Sequence, residues 1–205
     1  MIEWINSIVQ GVLTGGLYAL FATGLAIIFG VMRLINITHG DLIVLAAFVA
    51  MVIIETTGLN PFLSMLAVLP IMFVFGYFLQ RGILNFTLGD DLLPPLLVTF
   101  GLSIVIQNVL LQIFSADSQR LKVGSIETTS LHLTNNLAVG VFPLIIFVTA
   151  VVLIIILQYI FNSTDIGRAF RATSDDPTTA QLMGINNKHI FGLAMGVAMV
   201  LVGIA

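Results

Sequence analysis

Residues 162–188 read NSTDIGRAFRATSDDPTTAQLMGINNK, a long polar interruption in the otherwise apolar C-terminal half of the chain. Thr164 and Asp165 are residue types that cap helix N-termini, so the stretch predicts a short helix beginning just after them. Asp176 followed by Pro177 predicts a second helix, because proline is favoured at the first helical position. The pattern therefore indicates two short helices in series between two apolar runs.

Two further features of this stretch bear on its role. Arg168 and Arg171 are three residues apart and share one helix face. Gly184 predicts a left-handed helix stop. A structured, charged segment between membrane spans favours a docking surface for a partner. A solvated loop is the alternative, and spacing alone leaves both open.

The composition excludes an ordinary soluble domain. Hydrophobic residues make up 59% of the 205 residues and charged residues 8%, whereas globular chains carry about 25% charged residues. The mean hydropathy is +1.13. There is no cysteine, and the net charge of -3 is too small to indicate a nucleic-acid partner. The chain is therefore expected to lie in a lipid bilayer.

The apolar runs predict an all-α polytopic membrane protein that forms one domain over residues 1–205, with about five complete spans and the start of a sixth. The spans are expected near residues 8–31, 42–54, 61–80, 94–114, 137–160 and 190–205. The sixth run stops after 16 residues at Ala205. We therefore expect a chain that is incomplete at its C-terminus.

The segment Arg33–Asp41, RLINITHGD, interrupts the apolar pattern after the first span. The next run, residues 42–54, has only 13 uncharged residues and is short for a full span. Part of the segment is therefore a candidate for a broken or re-entrant stretch, which often marks a substrate pathway. A tight aqueous turn is the alternative. The candidate residues are Asn36, Thr38, His39 and Gly40.

Polar residues elsewhere have simpler interpretations. Gln107 and Asn108 in the fourth span are expected to hydrogen-bond neighbouring helices, and lining a path is the second possibility. The pair Asp90–Asp91 is expected to cap the fourth span. Residues 130–134, SLHLT, alternate in polarity and indicate a short strand or an interfacial segment, with a flexible loop as an equal alternative.

Basic residues predict the orientation of the chain in the membrane. Placing Arg33, Arg81 and residues 162–188 on one side gives that side five basic residues. The other side has only Arg120 and Lys122. The polar stretch is therefore expected to be cytoplasmic, with the N-terminus outside.

Several chemical functions lack their motifs. The sequence has no Walker-type glycine loop, no HExxH and no GxSxG. The predicted spans carry no ionisable side chain, whereas secondary transporters and proton pumps usually need one. We expect no catalytic residue, no metal site and no cofactor bound by this chain. Energy for transport would then come from a partner.

Three motifs, in order along the chain, carry a family resemblance. Residues 26–41, AIIFGVMRLINITHGD, are similar to the GVMRxINFAHG signature of branched-chain amino acid ABC permeases. Residues 98–103, VTFGLS, followed by Gln107-Asn108, resemble the fourth-span pattern of that family. Three segments of this chain resemble the cytoplasmic coupling region of the same family. They are GRAFRA at 167–172, Asp175-Asp176-Pro177 and LMGIN at 182–186. Ile37 and Thr38 depart from the more usual phenylalanine and alanine.

The resemblance implies the permease fold of a type II ABC importer in a bacterial or archaeal plasma membrane. The implied partners are two cytoplasmic ATPase subunits that hold ATP and Mg²⁺, a second homologous permease subunit and an external solute-binding protein. ATPase coupling is implied for Gly167, Arg168, Arg171, Asp175, Asp176, Pro177 and Gly184. A place near the translocation path is implied for Asn36, Thr38, His39, Gly40, Gln107 and Asn108.

Three alternatives stay open at this point. Importers of urea or short amides share these motifs. A secondary transporter or channel could use the break at Arg33–Asp41 as its binding site. A truncated fragment that does not transport is the third.

Overall fold

The computed structural model describes residues 2–89, 91–115, 130–134 and 137–205. Its long helices are α1 (Ile2–Met32), α2 (His39–Thr57), α3 (Pro61–Gly82), α4 (Leu93–Phe114), α5 (Val141–Ser163) and α8 (Asn187–Ile204). The short elements are a 3-10 turn (Leu84–Phe86), the strands β1 (Ser130–Thr134) and β2 (Leu137–Gly140), and the helices α6 (Asp165–Asp175) and α7 (Pro177–Leu182).

Within these residues, six helices are long and apolar enough to cross a membrane. They confirm the all-α, polytopic fold class. Several boundaries differ from the prediction. The first helix begins at Ile2 rather than at residue 8, and the sixth begins at Asn187 rather than at residue 190. The second span runs from His39 to Thr57 rather than from residue 42 to 54, which lengthens it to 19 residues. The fifth helix begins at Val141 rather than at residue 137.

The late start of α5 follows from a small hairpin. Residues 137–140 form β2, which pairs antiparallel with β1 from Ser130 opposite Gly140 to Thr134 opposite Leu137. Of the alternatives left open for residues 130–134, the structure has the strand. Of the second polar region, residues 116–129 with Arg120 and Lys122 lie outside the described residues.

Glycines allow the central helices to approach closely. A Cβ at Gly76 of α3 would lie 2.4 Å from Cγ of Met199 in α8, and one at Gly192 would lie 2.8 Å from the Tyr77 ring. On α1, a Cβ at Gly16 would lie 2.8 Å from the Phe147 backbone of α5. Packing through small residues is the usual way in which membrane helices associate, because lipid gives no hydrophobic drive between them.

The polar stretch folds as two short helices, as predicted. The Thr164 hydroxyl caps α6 by accepting a hydrogen bond from the Gly167 N–H at 3.1 Å. Helix α6 begins at Asp165 itself, so Asp165 lies in the first turn and does not cap. Gly184 ends this region with a φ of +87°, the left-handed conformation that its position predicted.

The capping prediction for the fourth span is wrong where the structure describes it. Helix α4 begins at Leu93, its N-cap position is Leu92, and no side chain caps it. Asp91 therefore does not cap, and Asp90 lies outside the described residues. Two prolines in the first turn take the place of a cap, because they leave fewer N–H groups unpaired.

Candidate functional site

After α1, the chain of the break turns back and runs alongside α1 into the interior of the protein. Helix α1 ends at Met32, and the next residue, Arg33, has a φ of +53° and donates its N–H to Phe29 O at 2.8 Å. The imidazole Nε2 of His39 then lies 3.1 Å from Phe21 O. Phe21 precedes the end of α1 by three helical turns, about 16 Å along its axis. Helix α2 therefore begins deep beside α1.

Three polar side chains of the break are buried, although Ile35 and Ile37 beside them are exposed. The exposed fractions of Asn36, Thr38 and His39 are 5%, 0% and 7%. These values contradict a tight aqueous turn and favour the broken segment. Gly40 differs from them, because it is exposed and a Cβ there would meet nothing within 4 Å.

Thr99 of α4 holds the broken backbone. Its carbonyl accepts a hydrogen bond from the Thr38 hydroxyl at 2.6 Å. Its own hydroxyl accepts one from the Ile37 N–H at 3.4 Å. Asn36 Oδ1 accepts from the Thr38 N–H at 3.1 Å. Non-helical backbone at this depth needs such partners, because lipid offers none.

Two polar atoms of the break have no hydrogen-bond partner among the described residues. They are Nδ2 of Asn36 and Nδ1 of His39, and both are buried. Since Nε2 of His39 faces a carbonyl oxygen, the proton of a neutral imidazole lies on Nε2, and Nδ1 is left as an acceptor. The break therefore presents one free donor and one free acceptor.

Beside the break, α2 and α4 share a polar cluster of Asp41, Ser103 and Gln107. The Ser103 hydroxyl donates to Asp41 Oδ2. The Gln107 amide donates to Asp41 Oδ1 at 2.9 Å and to Ser103 Oγ at 3.1 Å. Ser103 is buried, whereas Gln107 is exposed on the surface of the chain.

The contacts of α2 and α4 decide three of the sequence predictions. Gln107 does bond a neighbouring helix, as predicted. Asn108 does not, because its Nδ2 donates to Ile104 O of its own helix at 2.7 Å. The prediction that no ionisable group lies in a span is also wrong. Since α2 begins at His39, both His39 and Asp41 belong to a helix long enough to cross the membrane.

A second group of contacts joins α6 to the end of α1. Arg168 pairs with Asp165 of its own helix, and Arg171 donates to Phe161 O of α5. The Ser174 hydroxyl donates to Gly30 O, and Arg33 donates to Ser174 O at 3.4 Å. The two arginines therefore have partners within the chain.

The turn between α6 and α7 is built around Asp176. Its carboxylate accepts from the Thr179 hydroxyl and from the N–H groups of Thr178 and Thr179, at 2.9 and 3.1 Å for the latter two. The Thr179 hydroxyl, followed by these N–H groups, holds the pKa of Asp176 below its usual range. Asn187 at the start of α8 donates to Pro177 O at 2.6 Å and ties α7 to α8.

The C-terminal end of α7 carries apolar side chains that nothing in the described part of the chain covers. Leu182 and Met183 are 83% and 79% exposed, and Gly184 follows them. Asp175 is exposed on the adjoining turn. Among the described residues, no three His, Cys, Asp or Glu side chains come together in a way that could hold a metal ion.

Comparison with known proteins identifies the family. Residues 7–205 match the family described as branched-chain amino acid transport system, permease component. The chain belongs to this family.

Several relatives are similar to the permease over most of its length. It is 27% identical to the high-affinity branched-chain amino acid transport system permease protein BraD of Pseudomonas aeruginosa, over 99% of this chain and 69% of BraD. It is 25% identical to LivH of Salmonella typhimurium, over 98% of this chain and 69% of that protein. It is also 26% identical to a probable branched-chain amino acid transport permease protein LivH of Methanocaldococcus jannaschii, over 85% of this chain and 56% of that protein. No solved structure matches the permease.

Sequence reasoning missed four residues of the permease that the structure brings into these sites. Asp41, Thr99 and Ser103 surround the break, and Ser174 joins α6 to α1. One signal for the first group was available: Thr99, Ser103 and Gln107 follow at intervals of four and lie on one face of α4. No local pattern marks Ser174, because its partner lies 144 residues away.

Proposed function

We propose that this permease is a membrane subunit of an ATP-binding cassette importer for branched-chain amino acids. The observation that carries the proposal is the family match over residues 7–205. In this proposal the complete importer contains a second permease subunit, two cytoplasmic ATPases that bind ATP and Mg²⁺, and an external solute-binding protein. The permease supplies the path and performs no hydrolysis.

The proposed ATPase contact is the coupling segment, residues 162–188. The exposed Leu182 and Met183 would enter a groove of the ATPase, since large exposed apolar side chains mark protein contacts. Asp175 and Asp176 would contribute charge at the rim. Arg168 and Arg171 shape the segment from within, because their guanidinium groups already bind Asp165 and Phe161 O.

The segment is placed to transmit a movement to the membrane path. Ser174 contacts the end of α1 at Gly30, and it also contacts Arg33, the first residue of the break. Thr99 ties that break to α4. A push on α6 would therefore displace the end of α1 and the break, while the polar residues at Asn36–Gly40 exchange partners between outward-facing and inward-facing states.

The proposed orientation places the coupling segment in the cytoplasm and the N-terminus outside, in a bacterial or archaeal plasma membrane. Arg33 contacts α6, and Asn85, four residues beyond Arg81, donates to Lys188 O at 3.1 Å. The basic residues of the described chain thus gather at the end that carries α6 and α7, which is what the positive-inside rule expects of a cytoplasmic end.

The test is capture of the ATPase by the tagged, full-length permease in mild detergent. We expect wild type to retain the ATPase encoded beside it. Leu182→Asp should lose it, because a charge replaces an apolar contact. Leu59→Asp is the matched control, since Leu59 is also an exposed leucine but lies in the turn between α2 and α3, outside the coupling segment. Failure of wild type to retain any ATPase would refute the proposal.

One observation favours a second candidate, a secondary transporter. Asp41 is a carboxylate inside a span, the kind of group that carries protons or ions in such transporters. Leucine uptake into liposomes that contain the permease without any ATPase, driven by a proton gradient, would support this candidate. Uptake that needs both the ATPase and ATP would eliminate it.

A further inference from the structure

The carboxylate of Asp41 has no cationic partner in the described part of the permease. Its two hydrogen-bond donors there, Ser103 and Gln107, are neutral. The one ion pair found among the described residues is Arg168 with Asp165, in the coupling segment. A charge inside the bilayer is costly and is normally paired, so an unpaired carboxylate at this position indicates a binding function.

Two independent relations place Asp41 near the middle of the membrane. Its partner Ser103 lies ten residues beyond the start of α4 at Leu93, about 15 Å along the axis. His39, two residues before it, reaches Phe21, about 16 Å from the end of α1. The hydrocarbon core is about 30 Å thick, so both lengths reach about half-way. Secondary transporters bind their substrates at this depth, so a polar site there is a reasonable place for a transported molecule.

The cluster is also accessible from the surface of the chain. Asp41 is half-buried, and Gln107 is exposed beside it. Lipid tails cannot satisfy a carboxylate or an amide. This face of α2 and α4 must therefore meet water, another subunit or a substrate.

Counting hydrogen bonds favours a substrate that carries several donors. An ionised carboxylate offers about four lone-pair positions, and Ser103 and Gln107 occupy two of them. A primary ammonium group has three N–H donors, two of which would fill the two free positions, and its positive charge would balance the carboxylate. Urea and neutral amides have donors but carry no charge.

We propose that Asp41, oriented by Ser103 and Gln107, binds the primary ammonium group of the transported substrate. This inference rests on the proposed function and deepens it, because it names the group that the path recognises. It also separates the two substrate classes that share the family motifs. The site selects amino acids over urea and short amides.

The test measures direct binding to the detergent-solubilised complex of permeases and ATPases, without the solute-binding protein, by equilibrium dialysis. The probes are L-leucine, 3-methylbutylamine, which keeps the ammonium and lacks the carboxylate, and 4-methylpentanoate, which keeps the carboxylate alone. Wild type should bind leucine and the amine, and should bind 4-methylpentanoate at least about tenfold more weakly, which corresponds to about 1.4 kcal/mol.

The variants isolate the charge. Asp41→Asn should weaken the binding of leucine and of the amine by about tenfold or more, and Asp41→Glu should restore part of that binding. Glu55→Gln is the matched control, because Glu55 is an exposed carboxylate at the other end of α2 and should leave binding unchanged. Gln107→Leu removes one donor to Asp41 and should weaken leucine binding by a smaller factor.

The outcomes separate this inference from the proposed function. Leucine-dependent ATP hydrolysis by the complete wild-type importer, together with unchanged leucine binding in Asp41→Asn, would overturn the inference and leave the function in place. A wild-type importer that moves urea and not leucine would overturn both. If Asp41→Asn fails to assemble with the ATPase, Gln107→Leu decides, and unchanged leucine binding there overturns the inference. If the Asp41→Asn complex loses the second permease subunit but still binds leucine, the inference is overturned. The positively charged partner of Asp41 would then belong to that subunit and not to the substrate.

Discussion

Replacing Gly167 with alanine should displace the coupling segment. Gly167 is the third residue of α6, at the point where the chain turns sharply out of α5. A Cβ at this position would lie 2.3 Å from Phe161 O and 2.4 Å from Ile160 O, where real Cβ atoms essentially never come closer than 3.0 Å. Both obstacles are backbone atoms, so no side chain can rotate to make room.

The expected loss of folding free energy follows from these short distances. Forcing one carbon into a packed position typically costs about 1–3 kcal/mol, and here the backbone itself must move. Relief would shift α6 away from the end of α5. The Thr164 cap, the Arg171 bond to Phe161 O and the stacked Phe161–Phe170 pair, whose ring centroids are 5.1 Å apart, all lie at that junction.

Two measurements test this prediction. The apparent unfolding temperature of purified Gly167→Ala permease should fall, by roughly 2–4 °C for each kcal/mol in a chain of this size. Capture of the ATPase should weaken in parallel. Gly101→Ala is the control, since a Cβ at Gly101 in α4 meets nothing within 4 Å. A Gly167→Ala protein as stable as wild type, with undiminished capture, would refute the reasoning.

Three further predictions concern single groups. Gly184→Val should impair coupling, because valine is strained at a φ of +87°, and ATP hydrolysis stimulated as strongly as in wild type would contradict this. Because its folded pKa is lowered, the Asp176 cap should stabilise α7 at every pH above the usual aspartate pKa of about 3.9, and lose that effect as the pH falls through the lower folded value. The difference in unfolding temperature between wild type and Asp176→Ala should accordingly be constant from about pH 5 to pH 8 and should vanish in stronger acid, and a difference that shrinks already near neutrality would count against it. Thr99→Ala should destabilise the permease by about 1–3 kcal/mol, because the Ile37 N–H loses an acceptor, whereas Asn108→Ala should have little effect, as its amide bonds only its own helix. Equal unfolding temperatures for these two variants would show that the break does not depend on Thr99.

The helices and their caps were largely predictable because their signals are local. A run of about 20 apolar residues forms a spanning helix whatever surrounds it. Thr164, the pair Asp176–Pro177 and Gly184 act on backbone groups within a few residues, and all three behave as predicted. The hairpin at the start of the fifth apolar run was less predictable, because residues 137–140 are as apolar as the helix that follows them.

The candidate site was predicted only in part. The break at Arg33–Asp41 was identified from its polarity, but its burial was not, because an aqueous turn would have the same composition. Asn108 and Gln107 are adjacent in sequence and chemically alike, yet one bonds its own helix and the other bonds Asp41. Their directions differ by about 100° around α4, and only the placement of α2 decides which of them finds a partner.

The sequence by itself determined that this protein spans the membrane, where its coupling segment turns, and to which family it is similar. Membrane spans and helix caps depend on residues that are neighbours in the chain, so they can be predicted from the sequence alone. The tertiary structure decided that His39 and Asp41 lie inside a span, that Thr99 supports the break and that Ser174 joins α6 to α1. These facts depend on contacts between residues 18 to 144 positions apart. Such contacts arise from how helices pack, and packing is a property of the whole fold.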